Sequence, residues 1–285
     1  MVRLLVTGGE GFMGSHFVDL VTLDGRYEIR MFEGDICDKQ DVIRNLRDID
    51  TVVNFAALTY LPPSWTSPRA YMNVNYGGVL NLLNGNGMFK RFIQISTSHV
   101  YGNQVVMPIG LDHVPNPGDP YAIAKLAAEN AVRAYADTFG FDYTIVRPFN
   151  NFGPRQSRHF VVPTFIRQAL HEGRIVIHGD TQREFLYVKD NVRVIKGLLD
   201  TGFSGTILSC KGETYSISEV AQTILEACGR PNGKIEIRES NRKKNEIQRL
   251  LGDRTSLKLA LPGHTWTPLP QAIGETVEYY RTIPA

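Results

Sequence analysis

The stretch VRLLVTGGEGFMG, Val2 to Gly14, constrains the fold more than any other part of the chain. A short apolar run, Val2 to Gly8, reads as a buried strand, and glycines at 8, 11 and 14 follow it at three-residue spacing before a possible helix. Glycine lets a backbone turn tightly and approach phosphate oxygens, while a helix N-terminus offers unpaired N–H groups and the positive end of its dipole. A bland glycine loop is the competing reading, and the position directly after a first strand argues against it.

The remaining first half alternates short apolar runs with helical patterns, as a parallel sheet covered by helices on both faces requires. Ile49 to Ala57 and Arg91 to Ser98 read as strands, Asn73 to Gly87 as a helix, Tyr121 to Phe139 as an alanine-rich helix, and Phe141 to Pro148 as a further strand. The expected class is therefore α/β, a Rossmann-like doubly wound parallel sheet over residues 1–150, which also takes back about 187–209. After Pro148 the texture becomes polar and Gly/Pro-punctuated, so residues 151–285 are expected to form a smaller α/β substrate domain. It would include a helix near Pro163 to Glu172, the strand RIVIHGD, and a last helix with Ile273, Val277 and Tyr280 on one face.

Composition narrows the function. With 31 Lys+Arg against 29 Asp+Glu the chain carries a net charge of +2, too slight to suggest a nucleic acid or a membrane surface as partner. Cys37, Cys210 and Cys228 lie outside any disulfide or zinc spacing, and His171 and His178 have no carboxylate partner at metal-ligand spacing, so no metal is expected. No apolar run reaches the roughly 18 residues of a membrane helix, and no charged-then-apolar leader precedes MVRLLVTGG; the expected location is the cytoplasm.

A second motif carries chemistry. Tyr121 and Lys125 are four residues apart, hence on one helical face, and Thr97 closes an earlier strand. A phenol near pKa 10 is a poor base at neutral pH; a neighbouring ammonium favours the phenolate and a hydroxyl can share its proton. Such a group can take the proton of a sugar hydroxyl as hydride leaves the same carbon. The same spacing also arises by chance in many helices.

In order along the chain, TGGEGFMGSH, GDICD, VNFAA, YMNVNYGG, ISTSHVYG, PYAIAKLAAE, VRPFNNFGPRQS, IHGD, REFLYVKD and RLLGDRTSL resemble the extended short-chain dehydrogenases that act on nucleotide sugars, the NAD-dependent epimerase/dehydratase family. The resemblance implies Thr97, Tyr121 and Lys125 as the catalytic residues. It implies Gly8, Gly11 and Gly14, with Phe12 and Met13 between them, as the pyrophosphate turn; Asp35 and Ile36 as adenine contacts; and Ala56 and Ala57 as the strand end lining the cofactor. It implies Asn150, Asn151, Arg183 and one of Arg242 or Arg249 as groups holding a nucleotide-diphosphate sugar, a homodimer through paired helices, and NAD as cofactor, with NADP open.

Two features depart from that pattern. The stretch from Gly14 to GDICD is short for a βαβ unit of roughly 30 residues, so the first helix and second strand are expected to be compressed. Only Asp19 and Asp24 offer a nearby carboxylate for the cofactor's ribose, and either a real deletion or residues missing from the chain would explain the shortage. Secondly, Ser98 and His99 stand where members that eliminate water from a 4-keto sugar carry Asp and Glu. His99 retains a base near neutral pH, or packs as a structural histidine. The expected activity is 4-epimerisation through a 4-keto intermediate. A 4,6-dehydratase is the alternative, ahead of a keto-sugar reductase or decarboxylase, and a non-catalytic dinucleotide-binding regulator is the alternative of another class. His159 is assigned a lesser part at the substrate, and Trp65 is expected to stabilise its loop.

Overall fold

The computed structural model describes residues 1–85, 89–239, 247 and 249–283. Its first half builds strands β1 (Val2–Thr7), β2 (Tyr27–Met31), β3 (Thr51–Asn54), β4 (Arg91–Ile95) and β5 (Asp142–Pro148), with helices α1 (Phe12–Thr22), α2 (Lys39–Asn45), α3 (Pro68–Met72), α4 (Gly78–Asn84) and α5 (Pro120–Phe139). The second half adds strands β6 (Asn150–Phe152), β7 (Arg174–His178), β8 (Gln182–Arg183), β9 (Phe185–Tyr187), β10 (Gly205–Ser209), β11 (Tyr215–Ser216), β12 (Lys234–Arg238) and β13 (Arg249–Leu250). Its helices are α6 (Val161–Glu172), α7 (Val188–Thr201), α8 (Ile217–Ala227), α9 (Thr255–Ala260) and α10 (Leu269–Arg281).

Six strands pair in the order β10-β5-β4-β3-β1-β2, all parallel. Leu4, Leu5, Val6, Val52, Val53, Ile93 and Val146 are wholly buried, as strands covered on both faces must be. From β1 the chain steps outward to β2, then returns to place β3 on the other side of β1. This reversal opens a crevice at the carboxyl ends of β1 and β3, where ligands bind in open α/β sheets.

The expected compression resolves differently. The crossover from Val2 to Met31 contains a complete eleven-residue α1 and a five-residue β2 in register with β1, Val6 opposite Met31. About 30 residues suffice for such a unit. What is short is the stretch after β2, where only Phe32 and Glu33 separate the strand from GDICD.

The helix expected over Asn73 to Gly87 is three pieces. α3 and α4 flank a π-helical turn at Asn73–Gly77, and residues 86–88 lie outside the described set. Gly78 opens α4 where a Cβ would lie 2.8 Å from Ile36, so the small residue lets the GDICD loop pack down on the helix.

The small sheets cluster beyond the main sheet's carboxyl edge: β6 with β9, β7 with β12, and β8 between β11 and β13. β10 then rejoins β5 in the main sheet, and α7 packs with α1 on its face. α8 starts at a capping box, Ser216 with Glu219, which satisfies two otherwise open backbone donors. No helix of the described residues is long and apolar enough to cross a membrane.

Candidate active site

At the carboxyl edge of β1 the backbone turns at Gly8 with φ +62°, a conformation that favours glycine. A Cβ on Gly8 would lie 2.7 Å from the Ala56 nitrogen, and one on Gly14 would lie 2.1 Å from the Gly8 carbonyl oxygen. The glycines thus bring the turn, the start of α1 and the end of β3 to backbone contact. Gly11 caps α1 without a side-chain acceptor, so the first-turn N–H groups at Phe12, Met13 and Gly14 face the turn unclaimed by a cap. Free N–H groups at a helix start suit an anion such as a phosphate. Ala56 and Ala57 continue β3 at its rim, half-buried.

The adenosine half is built differently. Asp19 pairs with Arg155 at 2.7 Å, and Asp24 is held by Arg26 and Lys196 at the opposite edge of the sheet, so neither stands at the carboxyl end of β2. That end carries Met31, whose Cε would lie 2.3 Å from a Cβ on Gly9. A thioether therefore covers the second glycine, and the first carboxylate beyond it is the exposed Glu33. Asp35 accepts the Cys37 N–H at 2.9 Å and Ile36 is buried against α4.

A buried polar chain crosses the same edge. The Thr7 hydroxyl donates to Asn54 Oδ1 at 2.5 Å, Asn54 Nδ2 donates to Gln94 Oε1 at 2.9 Å, and Gln94 Nε2 donates to the Ile95 carbonyl at 2.9 Å. Lys125 Nζ donates to the same carbonyl. The ends of β1, β3 and β4 and the middle of α5 are thereby tied together.

α5 begins with Asp119 as N-cap, its Oδ1 accepting the Ala122 N–H at 2.8 Å, and Pro120 at the first helical position. This start puts Tyr121 and Lys125 one turn apart, both buried. Burial pushes the Tyr121 hydroxyl up to about 12; the nearby Thr97 side chain acts the other way, and Asp119 and Tyr71 add to the rise. Burial likewise pushes the Lys125 amine down to about 8, with Glu129 opposing. In the free protein the Lys125 amine donates to the Ile95 carbonyl, and burial is the largest cause of both shifts.

Behind them lies a network that the motifs do not announce. Arg147 grips Glu129 with two parallel hydrogen bonds, 2.9 Å from Nε and 2.6 Å from Nη2, and donates to the Tyr101 hydroxyl at 2.6 Å. Ser96 and Arg133 complete the carboxylate's set at 2.5 and 2.8 Å. Burial raises the Glu129 carboxyl, but these donors outweigh it and hold it below its usual range. The end of β4, and so Thr97, is anchored by these bonds. A Glu and an Arg at otherwise apolar positions of a helix and a central strand were the available signal.

A cavity of about 870 Å³ opens beside His99 and Asp119, the neighbours of Tyr121; Thr97, Tyr121 and Lys125 are not among its lining residues. Its walls include His99, Asp119, Asn150, Asn151, Arg183 and Trp65, with His159, Gln156 and His178. Asn150 Nδ2 donates to the Glu184 carbonyl at 3.1 Å, and Asn151 Oδ1 accepts from Asn191 at 2.7 Å. Arg183 is tethered through the carbonyls of Gln182 and Ile247. Trp65, 40% exposed, belongs to this wall as well as to its turn, and the His159 ring stacks on Tyr60 at 5.6 Å. Arg249 is exposed on β13 and is not among the lining residues, so the structure does not bring it to Arg183's side of the wall; Arg242 lies outside the described residues.

Residues 4–217 match the model of the NAD dependent epimerase/dehydratase family. The chain is 32% identical to the low-salt glycan biosynthesis protein Agl12 of Haloferax volcanii over 306 residues, covering 97% of this chain and 98% of that protein. That alignment is longer than the 285 residues of this chain, so the relative carries stretches that are missing here. It is 28% identical to a dTDP-glucose 4,6-dehydratase of Actinoplanes sp. over 315 residues, covering 98% of each. Among solved structures it resembles a UDP-N-acetylglucosamine 4-epimerase from Methanobrevibacter ruminantium M1 in complex with UDP-N-acetylmuramic acid, with 27% identity, a TM-score of 0.91, and coverage of 99% of this chain and 98% of that one.

Proposed function

The chain belongs to the NAD-dependent epimerase/dehydratase family, and from that premise we propose that it oxidises a nucleotide-diphosphate hexose at C4 and returns the hydride, giving a 4-epimer. The observation that carries this reading is Tyr121, with Thr97 close by, packed on His99, whose side chain lines a cavity that also has Asn150, Asn151 and Arg183 on its walls. Tyr121 takes the C4 hydroxyl proton and Thr97 shares it. Arg183, a planar guanidinium, suits the diphosphate, and the two asparagines suit the sugar and its phosphates.

Bound NAD would supply the hydride acceptor, its oxidised ring being cationic until the hydride arrives. Gly8, Gly11, Phe12, Met13 and Gly14 would hold its pyrophosphate, Ala56 and Ala57 would line it, Asp35 and Ile36 would face its adenine, and Lys125 would meet its ribose. NAD and NADP are not distinguished by a carboxylate at the end of β2, because Met31 stands there. At about 12 the Tyr121 phenol is protonated in the free protein at neutral pH, and the nearby Thr97 side chain is the local feature that favours its ionised form.

A 4,6-dehydratase is the second reading, favoured by similarity to a dTDP-glucose 4,6-dehydratase along nearly the whole chain. A homodimer through paired helices that include α5 belongs to the same proposal; Ile123 on α5 remains 47% exposed. Incubation with UDP-, dTDP-, GDP- and CDP-hexoses, with products read by mass and NMR, tests the reaction. Isomers of equal mass support the epimerase, loss of one water supports the dehydratase, and no oxidation of any of them defeats both.

A further inference from the structure

The main sheet ends on β2, and no strand of the described residues pairs with its outer side. In the classic six-stranded doubly wound order a further strand lies outside the second one; here β2 itself is outermost. The opposite edge strand, β10, has α9 packed beside it.

Register fixes which groups of β2 face outward. The Val2 N–H donates to the Arg26 carbonyl and the Phe32 N–H to the Val6 carbonyl, each at 3.0 Å. Alternate residues of a parallel strand turn both backbone groups to the same neighbour, so Glu28 and Arg30 bond towards β1 while Tyr27, Ile29 and Met31 turn theirs away from it. The Tyr27 N–H reaches the Asp24 carbonyl at 3.3 Å. The side chains of Tyr27, Ile29 and Met31 pack into the core with those of α1, and Glu28 and Arg30 stand exposed together on the other face.

Natural sheet edges are usually blunted by lysines, proline, a bulge or a covering element. The sequence YEIRM has neither lysine nor proline, and its register with β1 runs unbroken. Its two charges are opposite in sign and two residues apart, so they do not repel a copy of the same strand. Laid antiparallel on itself about Ile29, the strand brings Glu28 opposite Arg30 of the copy, and symmetry repeats the pair. Ile29 then forms the hydrogen-bonded pair with its own counterpart. Glu28 and Arg30 fall at the other type of position, where Cα atoms are about 4.5 Å apart and side chains lie closest. Arg30 Nη1 donates to the carbonyls of Asn45 and Arg47 at 3.2 and 2.6 Å, which holds the guanidinium on this face with further N–H groups left for a carboxylate.

We propose that β2 is a docking edge for a second copy of this chain, the two strands pairing antiparallel about Ile29 with Glu28 of each opposite Arg30 of the other. A twofold axis closes such a contact, so it gives a finite particle rather than a fibre. The contact does not involve α5 and does not depend on the reaction assigned above.

Light scattering and sedimentation of the full chain, from about 1 μM to about 1 mM, read the self-association. Glu28→Arg and Arg30→Glu each set like charges opposite one another. Each is expected to weaken pairing at least ~10-fold, so that the particle loses half its mass at a concentration where wild type is paired. Mixing the two variants sets arginines of one chain against glutamates of the other at both positions, and the mixture is expected to recover the wild-type mass.

A wild-type mass of one chain throughout, or a larger mass that neither folded variant lowers, overturns the proposal. So does a mixture of the two variants that stays at the lower mass, because the Glu28–Arg30 register would then be wrong. Melting temperatures show that each variant is folded. If Arg30→Glu does not fold, having lost its bonds to Asn45 and Arg47, Glu28→Arg breaks neither of those and decides alone.

Discussion

Tyr121 and Lys125 share one face of α5 a turn apart, yet the phenol lies near the Thr97 side chain while the amine is bonded to the Ile95 carbonyl. Burial pulls the two groups in opposite directions, the phenol to about 12 and the amine to about 8, because each loses the solvation of its charged form. At neutral pH the free protein therefore holds a protonated phenol one turn from an ammonium that burial disfavours.

Tyr121→Phe is expected to lower turnover by about 10²- to 10⁴-fold with dinucleotide affinity retained, measured by steady-state kinetics and fluorescence titration. Because the phenol must be deprotonated to act as base, wild-type turnover rises with pH on its acidic limb. Turnover close to wild type in the variant would remove Tyr121 from its role.

Burial pushes the Lys125 amine from the ordinary lysine value of 10.5 down to about 8. A depressed value means that stability is highest above the unfolded pKa and falls as pH drops through the folded one, so between about pH 8 and 10.5 the protein gains stability as pH rises. At pH 7 the buried ammonium is a liability of roughly 1–3 kcal/mol. Lys125→Met should therefore raise the melting temperature at pH 7 and lose that advantage near pH 10. The Ile95 carbonyl keeps its hydrogen bond from Gln94. Dinucleotide affinity should fall in the same variant.

Gly14→Ala would place a methyl group 2.1 Å from the Gly8 carbonyl oxygen. Neither backbone can yield without opening the turn, so we expect a loss of about 1–3 kcal/mol in stability and dinucleotide binding weakened at least ~10-fold, both read by thermal melts with and without NAD. Undiminished binding would show that the turn does not carry the pyrophosphate.

Met31 covers Gly9 at the position where a carboxylate would reach a ribose. Met31→Asp is expected to tighten NAD by roughly 10-fold, the value of one added hydrogen bond to a charged group, and to leave NADP disfavoured. Isothermal titration with the two dinucleotides measures it. Equal affinities before and after would place the adenosine elsewhere.

Glu184 is wholly buried and accepts N–H groups from Lys211 at 2.7 Å, from Gly212 at 3.2 Å and from Gly252. Its carboxyl is pushed up to about 7 by burial, against those three donors. A raised value gives stability that is complete below the unfolded pKa and declines as pH rises through 7. Glu184→Gln turns an amide N–H toward backbone donors and should cost about 1–3 kcal/mol, seen in urea melts. It should also loosen the cavity wall, since Asn150 is bonded to the Glu184 carbonyl.

Much of the site was legible in residue order. Glycines 8, 11 and 14 after an apolar strand report a local backbone requirement that glycine meets in any context, and the Tyr121 to Lys125 spacing reports a helical face. The fate of the Gly14 to Asp35 stretch was not legible. Counting residues suggested a damaged crossover, but pairing of β2 with β1 shows that the economy falls in the loop after the strand, which ends at Met31 over Gly9.

The amino-acid order alone therefore determined the strand and helix pattern, the glycine turn, and the identity of the hydroxyl, phenol and amine, because each depends on periodicity or on one residue's own chemistry. Tertiary structure decided which groups meet. Asp119 faces His99, Glu129 is gripped by Arg147, and Lys125 turns to a carbonyl of another strand. Ionisation and hydrogen bonding in a buried site depend on partners distant in sequence, and only the packed sheet and helices bring those partners within a few ångströms.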